Sequence, residues 1–347
     1  MALVSSRNSW ADEGFFVAPE RKRMSGPYDY WWWWDARPKE LLRGGEVVIK
    51  IGSGVLIQSY SRPTLKESGA MNQRVFNWIA GCAKALASMG SKVALVSSGA
   101  VYCGRIEDRE LNRAIFGLEK RATKDGSLED QITCLRQSAA SIGQPILMSH
   151  WRKAFDPLVT EQILLDDQTL KIGVERVKCS FERGGVIPVI NANDAVITSG
   201  VRELSVCADN DRLARLIAEG LDAILLVIIT TAGGLRDRDG RIITYVDLES
   251  SLEVGKFSKS QYGTGGIESK IAEARAFARG GGIVLITDAD YLGKCLMGEV
   301  DKGTWIYSLS ALKAKGRKHW DTNIQNRLVA CAKRRLEKAE RVSVRDY

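Results

Sequence analysis

The chain has 347 residues, of which 45% are apolar, so it can bury one large core or two medium ones and is neither a disordered nor a fibrous protein. Lysine and arginine number 50 against 42 aspartate and glutamate residues, which gives a formal net charge of +8. Much of this excess lies before residue 45 and after residue 312, and no arginine-rich or aromatic RNA-binding motif accompanies it, so nucleic acid is not predicted as a partner.

The cysteines and the hydropathy pattern bear on the compartment. Seven cysteines are scattered without a close pair and only two histidines occur, which indicates neither a zinc site nor a disulfide framework and favours a reducing environment. No apolar run reaches the roughly 18 residues that span a bilayer. The N-terminus also lacks the sustained apolar core of a secretory signal. We therefore expect a cytoplasmic protein without a membrane segment.

Residues 1–44 form an aromatic-rich N-terminal extension. It contains Trp10, a basic cluster at 21–23, two tyrosines and four consecutive tryptophans, Trp31 to Trp34. So much aromatic surface is costly to leave in water, and we expect it to pack on the rest of the chain, on another subunit or on a partner.

From residue 46 onward, segments with strand character alternate with segments of helical periodicity. Strands are predicted at 46–51, 92–96, 186–190, 223–229 and 283–286, and helices at about 72–89 and 136–154. This alternation predicts an α/β protein, a three-layer α/β/α sandwich around a mostly parallel sheet. Ligands of such sheets bind at the carboxyl ends of the strands.

The first predicted strand ends in a lysine and a glycine-rich turn. Lys50 closes the strand, and Gly52, Ser53 and Gly54 follow it. Backbone amides of such a turn can approach a phosphate while the ammonium group neutralises it, although a glycine pair after a strand is also compatible with an ordinary turn. The chain contains neither a Gly-Lys-Ser/Thr phosphate loop nor a complete dinucleotide fingerprint.

Polar residues also follow other predicted strands. Ser98 opens a predicted helix, where it would bind a substrate carboxylate or cap the helix. Asn191 and Asp194 lie in a turn after the strand at 186–190, which would bind substrate or be a simple Asx turn.

Two further groups lie at predicted helix starts. Asp209, Asn210 and Asp211 precede a helix that needs only one of them as a cap. Gly265 and Gly266 precede a helix that carries Lys270, and they would form either a phosphate loop or a capping turn. Because all five polar turns fall at one edge of the predicted sheet, two lysines and an acidic clamp make phosphoryl transfer the first chemistry to test.

Six segments in register carry a resemblance to a known family. They are Val-Val-Ile-Lys-Ile-Gly-Ser-Gly, Val-Ser-Ser-Gly-Ala-Val, Ala-Ala-Ser-Ile-Gly-Gln, Val-Ile-Pro-Val-Ile-Asn-Ala-Asn-Asp-Ala-Val, Ala-Asp-Asn-Asp-Arg-Leu-Ala and Gly-Thr-Gly-Gly-Ile-Glu-Ser-Lys. From about residue 46 to about residue 320 the chain resembles the amino-acid kinase superfamily, and within it the glutamate 5-kinases, which make γ-glutamyl phosphate for proline synthesis.

The resemblance implies a set of site residues. Lys50 and Lys270 match the phosphate-contacting lysines and Asp211 the aspartate that organises them. The matching substrate-binding residues are Ser98, Asn191, Asp194, Asp209 and Asn210. The matching nucleotide-binding residues are Lys50, Gly52, Ser53, Gly54, Thr230, Thr231, Gly265, Gly266 and Lys270. ATP, an Mg²⁺ ion that bridges its phosphates and a homo-oligomeric assembly are also implied, whereas no metal ligand of the protein is.

The resemblance further implies a division of the chain. A kinase domain at 45–312 would bind the amino acid mainly through 45–222 and the nucleotide mainly through 223–312. The remaining residues, 313–347, would form a basic tail, with an amphipathic helix at about 322–341 that is either solvated or bound to an acidic partner, and with no accessory RNA-modification-type domain.

The chain departs from the family pattern in four places. Ala192 and Thr231 stand where the family usually has glutamate and aspartate, and the segments 165–186 and 232–241 are shorter than usual. These departures keep two alternatives open beside glutamate phosphorylation. In the first, the chain is a kinase that phosphorylates another amino acid or a small acid. In the second, it is a non-catalytic scaffold or regulatory relative.

Overall fold

The computed structural model describes residues 44–57, 71–122, 128–196, 207, 209–237, 240–249, 267–296 and 302–316. The aromatic N-terminal segment, Gly265, Gly266 and the tail from residue 317 lie outside the described residues.

The described residues contain eight strands in a single sheet. The strands are β1 (Glu46–Ile51), β2 (Lys92–Ser97), β3 (Val159–Leu165), β4 (Val186–Ala192), β5 (Leu225–Ile229), β6 (Tyr245–Asp247), β7 (Ile283–Thr287) and β8 (Gly303–Tyr307). Their spatial order is β3-β4-β2-β1-β5-β7-β8-β6. All neighbouring pairs are parallel except β7 with β8, so the predicted mostly parallel sheet is confirmed.

Ten helices occur in the same described residues. They are α1 (Ser53–Leu56), α2 (Gln73–Ser88), α3 (Ala100–Glu107), α4 (Arg109–Arg121), α5 (Glu129–Phe155), α6 (Leu170–Arg183), α7 (Asn210–Gly220), α8 (Ile267–Arg279), α9 (Leu292–Leu296) and α10 (Leu309–Ala314). Among these residues, no helix is both long enough and apolar enough to cross a membrane.

Two apolar cores cover the two faces of the sheet. Successive side chains of a strand point to opposite faces, and in β1 Val47 and Ile49 belong to one core whereas Val48 belongs to the other. The first core includes buried residues of α2 and α5, and the second includes buried residues of α6, α7 and α8. This is the three-layer α/β/α arrangement predicted from the sequence.

The structure also corrects the sequence predictions. The strand predicted at 186–190 runs on to Ala192 because its pairing with β3 continues through Leu164 and Leu165, so Asn191 is a strand residue and not a turn residue. The sequence pattern did not predict β3, β6 or β8. It also missed helix α4, although Leu111, Ile115 and Leu118 recur there at helical spacing.

Candidate active site

The predicted site residues within the described part collect at the carboxyl edge of the parallel strands. Lys50 lies at the end of β1, Ser98 follows β2, Asn191 lies in β4 and Thr230 follows β5. The acidic group at 209–211 begins helix α7, and Lys270 lies in the first turn of α8.

One carboxylate joins the two predicted lysines. The Nζ atom of Lys50 lies 2.6 Å from Oδ1 of Asp211, and the Nζ atom of Lys270 lies 2.6 Å from Oδ2 of the same group. The side chains of Lys50 and Asp211 are only 5% and 2% exposed, and that of Lys270 is 16% exposed. The two ammonium groups, 220 positions apart in the chain, therefore converge on a single buried anion.

Asp209 holds Asp211 in place. Its Oδ1 atom accepts a hydrogen bond of 2.8 Å from the backbone N–H of Asp211, so Asp209 is the residue among 209–211 that caps helix α7. Its Oδ2 atom accepts a second bond of 2.7 Å from the hydroxyl of Ser269, so the same carboxylate also ties α7 to α8.

Burial and charge act on this group in opposite directions. Burial would raise the pKa of Asp211, but the charges of Lys50 and Lys270 outweigh it and hold that pKa below its ordinary value. Burial lowers the pKa of Lys50, and the charge of Asp211 opposes this effect without cancelling it. Two ammonium groups face Asp211 in this poorly solvated site, and the carboxylate of Asp209, which also acts on Lys50, offsets their remaining charge. An incoming anion would therefore be stabilised by the close approach of the ammonium groups and not by an excess of positive charge.

A second polar network lies beside this cluster. The side-chain amide of Asn210 donates to the hydroxyl of Ser98 at 2.8 Å and to Oδ1 of Asn191 at 3.1 Å. Asn191 in turn donates from Nδ2 to Oε1 of Gln144 at 3.0 Å. Three of these four residues were predicted, whereas Gln144 was missed as a site residue even though it ends one of the recognised segments, Ala-Ala-Ser-Ile-Gly-Gln.

Two buried atoms of this network have unused hydrogen-bonding capacity. Within the described residues, neither Nε2 of Gln144 nor Oδ1 of Asn210 has a hydrogen-bond partner. Buried polar groups are normally paired, because an unpaired one costs about 1–3 kcal/mol. One atom is a donor and the other an acceptor, so together they suit a ligand that carries both a carboxylate and an ammonium group.

Close helix packing positions Gln144. A Cβ atom at Gly143 would lie 1.9 Å from the carbonyl oxygen of Ala100, and one at Gly104 would lie 1.9 Å from that of Ala139. Glycine at both positions therefore allows α3 and α5 to pack backbone to backbone. This contact brings Gln144 of α5 to the α3 end that follows Ser98.

A buried indole supports the turn at Ser98. The ring N–H of Trp151 donates to the hydroxyl of Ser97 at 2.8 Å, and that hydroxyl donates to the carbonyl oxygen of Ser98 at 3.2 Å. Trp151 is fully buried, so the orientation of the turn depends on the core and not on solvent.

Among the predicted nucleotide-side residues that the structure describes, those other than the lysines lie in the turns after β1 and β5. Thr230 follows β5, which pairs with β1, and its backbone N–H donates to Thr287 of β7 at 2.9 Å. The glycine-rich turn after Lys50 begins α1, with Gly52 as its N-cap, and Gly54 has no atom within 4 Å of an added Cβ. Thr231 is exposed beside Thr230.

Asp194 was predicted to bind the substrate. In the structure it lies in the turn after β4 and is partly buried. Ala192, where the family usually has glutamate, is 1% exposed and packs in the second core.

The described residues contain no group of three or more histidine, cysteine, aspartate or glutamate side chains that would hold a metal ion. Both oxygens of Asp211 are engaged by lysines. Mg²⁺ commonly keeps several waters and binds substrate phosphates with few protein ligands.

Comparison with known proteins identifies relatives. Residues 45–287 match the model of the "Amino acid kinase family". Glutamate 5-kinase from Methanosarcina barkeri (strain Fusaro / DSM 804) is 31% identical over 272 residues, which cover 73% of this chain and 66% of that protein. The enzyme of the same name from Caulobacter vibrioides (strain NA1000 / CB15N) is 33% identical over 258 residues, which cover 70% and 61%. The alignment thus spans less than two thirds of each of these two relatives.

Solved structures share the fold at low sequence identity. Carbamate kinase from Giardia lamblia bound to AMP-PNP superposes with a TM-score of 0.50 and 18% identity, over 77% of this chain and 99% of that one. N-acetylglutamate synthase from Neisseria gonorrhoeae gives a TM-score of 0.50 and 15% identity, over 78% and 63%. At these identities the likeness concerns the fold alone.

Proposed function

Because this chain belongs to the amino acid kinase family, we propose that it transfers the γ-phosphoryl group of ATP to the side-chain carboxylate of glutamate and forms γ-glutamyl phosphate, the first step of proline synthesis. The proposal also draws on the relatives named glutamate 5-kinase, which align over 70% or more of this chain.

The observation that carries the proposal is the buried cluster of Lys50, Asp211 and Lys270. A phosphoryl group in transfer spreads negative charge over its equatorial oxygens, so catalysis requires cations that are already positioned. Asp211 holds two ammonium groups within 2.6 Å of its oxygens, and both are available to shift toward a phosphoryl group between them.

The reaction needs no general base. A glutamate side chain is ionised near neutral pH and is itself the nucleophile. One carboxylate oxygen attacks the γ-phosphorus in line, the bond from phosphorus to the β–γ bridging oxygen breaks, and ADP leaves with that electron pair. Lys50 and Lys270 neutralise the transferred group. The positioning of the carboxylate in line with the γ-phosphorus supplies much of the remaining rate enhancement.

The second network supports an amino acid as the acceptor. We assign the free donor on Gln144 to the α-carboxylate and the free acceptor on Asn210 to the ammonium group, because one ligand of this kind would satisfy both buried atoms. Ser98 and Asn191 hold these two side chains in position. Asp194 and Asp209 complete the proposed acceptor site, with Asp194 assigned to the ammonium group.

The nucleotide is proposed to lie over the turns beyond β1 and β5. Its phosphates would contact the amides after Lys50 and the loop before Lys270, and an Mg²⁺ ion bound with the nucleotide would supply further positive charge there. The residues proposed for this side are Gly52, Ser53, Gly54, Thr230, Thr231, Gly265 and Gly266. The nucleotide would be bound mainly through 223–312 and the acceptor mainly through 45–222.

The test is to trap the product. Protein, Mg·ATP and hydroxylamine are incubated with and without glutamate, and the hydroxamate formed from an acyl phosphate is measured together with ADP. We expect glutamate-dependent hydroxamate in a 1:1 ratio to ADP. The absence of hydroxamate with every acceptor, from a protein that remains folded, would contradict the proposal.

One observation favours a second candidate, a kinase of the same fold that acts on a different small acid. Ala192 is buried in the core and supplies no charge to the pocket at the position where the family usually has glutamate. A panel of acceptors in the same assay decides between the two. Hydroxamate from aspartate or another acid, with glutamate inert, would favour the second candidate.

A further inference from the structure

Three polar contacts join helices α7 and α8 along their length. The first is the bond from the hydroxyl of Ser269 to Asp209, at 2.7 Å, and the second is the ion pair of Lys270 with Asp211, at 2.6 Å. The third, one turn further along both helices, is an ion pair between Nε of Arg215 and Oε2 of Glu273.

Helix geometry places these contacts in one row. Residues three or four positions apart share a helix face, so Arg215 lies beside Asp211 on α7 and Glu273 beside Lys270 on α8. The charges alternate along each helix, negative then positive on α7 and positive then negative on α8. A shift of either helix by one turn would bring Arg215 toward Lys270, or Glu273 toward Asp211, and would oppose like charges.

The apolar packing of α8 also contributes to its position. Ala274 and Ala278 are small and allow close approach, whereas Ile271 and Phe277 are larger and also lie in the second core. The polar row lies at the start of the helix, next to Lys270, where the position of the ammonium group is decided. Charged pairs are well suited to define that position, because register is the best-attested role of partly buried polar contacts.

We propose that Arg215, Glu273 and Ser269 are positioning residues that keep α8 in register with α7 and so place the ammonium group of Lys270 at the phosphoryl group. This inference rests on the proposed phosphotransfer. Arg215 and Glu273 are 16% and 17% exposed, so their pairing is only partly screened by solvent. Glu219 also contacts Arg215, at 2.7 Å, and restricts its side chain.

The contacts matter most during turnover. When the phosphoryl group draws Lys270 away from Asp211, the central contact weakens and the other two hold the helix. Loss of the pair between Arg215 and Glu273 should therefore lower kcat and leave KM for the acceptor unchanged. Ser269→Ala should lower kcat as well, but it also releases Asp209 of the proposed acceptor site and should raise that KM.

The test compares Glu273→Gln and Ser269→Ala with Glu119→Gln, which removes a carboxylate paired with Arg136 at 2.9 Å between α4 and α5. Activity is measured as acyl phosphate formation per folded molecule, and stability by urea unfolding. We expect Glu273→Gln to lower kcat about tenfold, since an error of about 1 Å in a positioned group can cost up to 10²-fold. Glu119→Gln should leave kcat unchanged, although it should lower the free energy of unfolding about as much as Glu273→Gln does.

A pH profile separates displacement of Lys270 from a general structural effect. The charge of Lys270 lowers the pKa of Lys50, so movement of Lys270 away from the cluster should shift the alkaline limb of the kcat profile to higher pH. Simple removal of the negative charge of Glu273 would shift it the other way. An unchanged kcat or an unmoved limb in Glu273→Gln, with an active wild type, overturns this inference alone. A wild type that forms no acyl phosphate overturns the proposed function and this inference together.

Discussion

The side-chain amide of Asn210 lies 2.8 Å from the hydroxyl of Ser98, although the two residues are 112 positions apart in the chain. The bond joins the N-terminus of α7, which also carries Asp211, to the turn after β2. The proposed acceptor site and the lysine cluster therefore share one short stretch of backbone, residues 209–211, so a change there should affect both binding and turnover.

The lysine cluster predicts strong kinetic effects from single substitutions. Lys270→Ala and Lys50→Ala should each lower kcat by about 10²- to 10³-fold, as the loss of one preorganised electrostatic contact to a transition state does elsewhere. ADP release and hydroxamate formation measure the rate, and circular dichroism verifies the fold. The matched control is Lys84→Ala, because Nζ of Lys84 binds carbonyl oxygens of Ala154 and Asp156, at 3.2 Å each, and no proposed site residue. Near-normal turnover in both site variants would remove the roles proposed for them.

The titration of Lys50 predicts an alkaline limb. Burial lowers the pKa of Lys50 from its ordinary value of 10.5, and the charge of Lys270 lowers it further. Because the charged form is required, kcat should fall as pH rises through this lowered pKa, at a pH below 10.5. Lys270→Gln removes one lowering cause, so the limb of its residual activity should move to higher pH. A limb that moves to lower pH would contradict the assignment.

The same groups predict the pH dependence of stability. The pKa of Asp211 is lowered on folding, so its stabilising contribution is present above its ordinary value of 3.8 and is lost as pH falls through the lowered pKa. Asp211→Asn should therefore lower the free energy of unfolding at pH 7, by about 3–5 kcal/mol as when one partner of a buried ion pair is removed, and by less in strong acid. Urea unfolding at both pH values measures this difference, and an equal loss at the two values would exclude the ionised pair as its source.

Gln144 predicts a change in acceptor affinity. Gln144→Glu keeps an oxygen to accept from Asn191 but replaces the free N–H donor with an acceptor, so it should raise KM for the amino acid roughly tenfold to a hundredfold, the value of one charged hydrogen bond. KM for ATP should change little. Gln73→Glu is the control. The Oε1 atom of Gln73, on α2, lies 2.6 Å from Nδ1 of His150, on the same helix α5 as Gln144 but outside the proposed site. Equal KM values for wild type and Gln144→Glu would place the acceptor elsewhere.

Substitution of a glycine should have opposite effects inside and outside the contact of α3 with α5. Gly143→Ala would place a Cβ atom 1.9 Å from the backbone of Ala100 and should destabilise the protein by about 1–3 kcal/mol or more, the cost of overpacking. Gly117→Ala in helix α4 meets only the end of Arg121, at 3.8 Å, and should stabilise the protein by about 0.5–1 kcal/mol through helix propensity. Urea unfolding compares the two, and similar stability of both variants would show that the helices can separate without loss.

The residues that could be predicted from the sequence are those whose position follows from a strand end. Lys50, Ser98 and Thr230 follow β-branched apolar runs, and parallel strands connected by helices bring their carboxyl ends to the same edge. A helix cap among residues 209–211 could be predicted because capping is local chemistry, and the structure shows that the cap is Asp209. These inferences needed only neighbouring residues and the direction of the strands.

Other features depended on contacts between distant segments. Gln144 joins the site because two glycines let α5 approach α3, and the register of α7 with α8 places Arg215 against Glu273. Asn191 lies in β4 because β3, an edge strand with little apolar alternation, continues to pair beside it. The amino-acid sequence by itself therefore determined the α/β class, the family and the order of the polar turns, because each depends on local periodicity and short motifs. Only the tertiary structure decided which side chains meet across that edge, because distances between packed helices depend on side-chain volumes that no local pattern records.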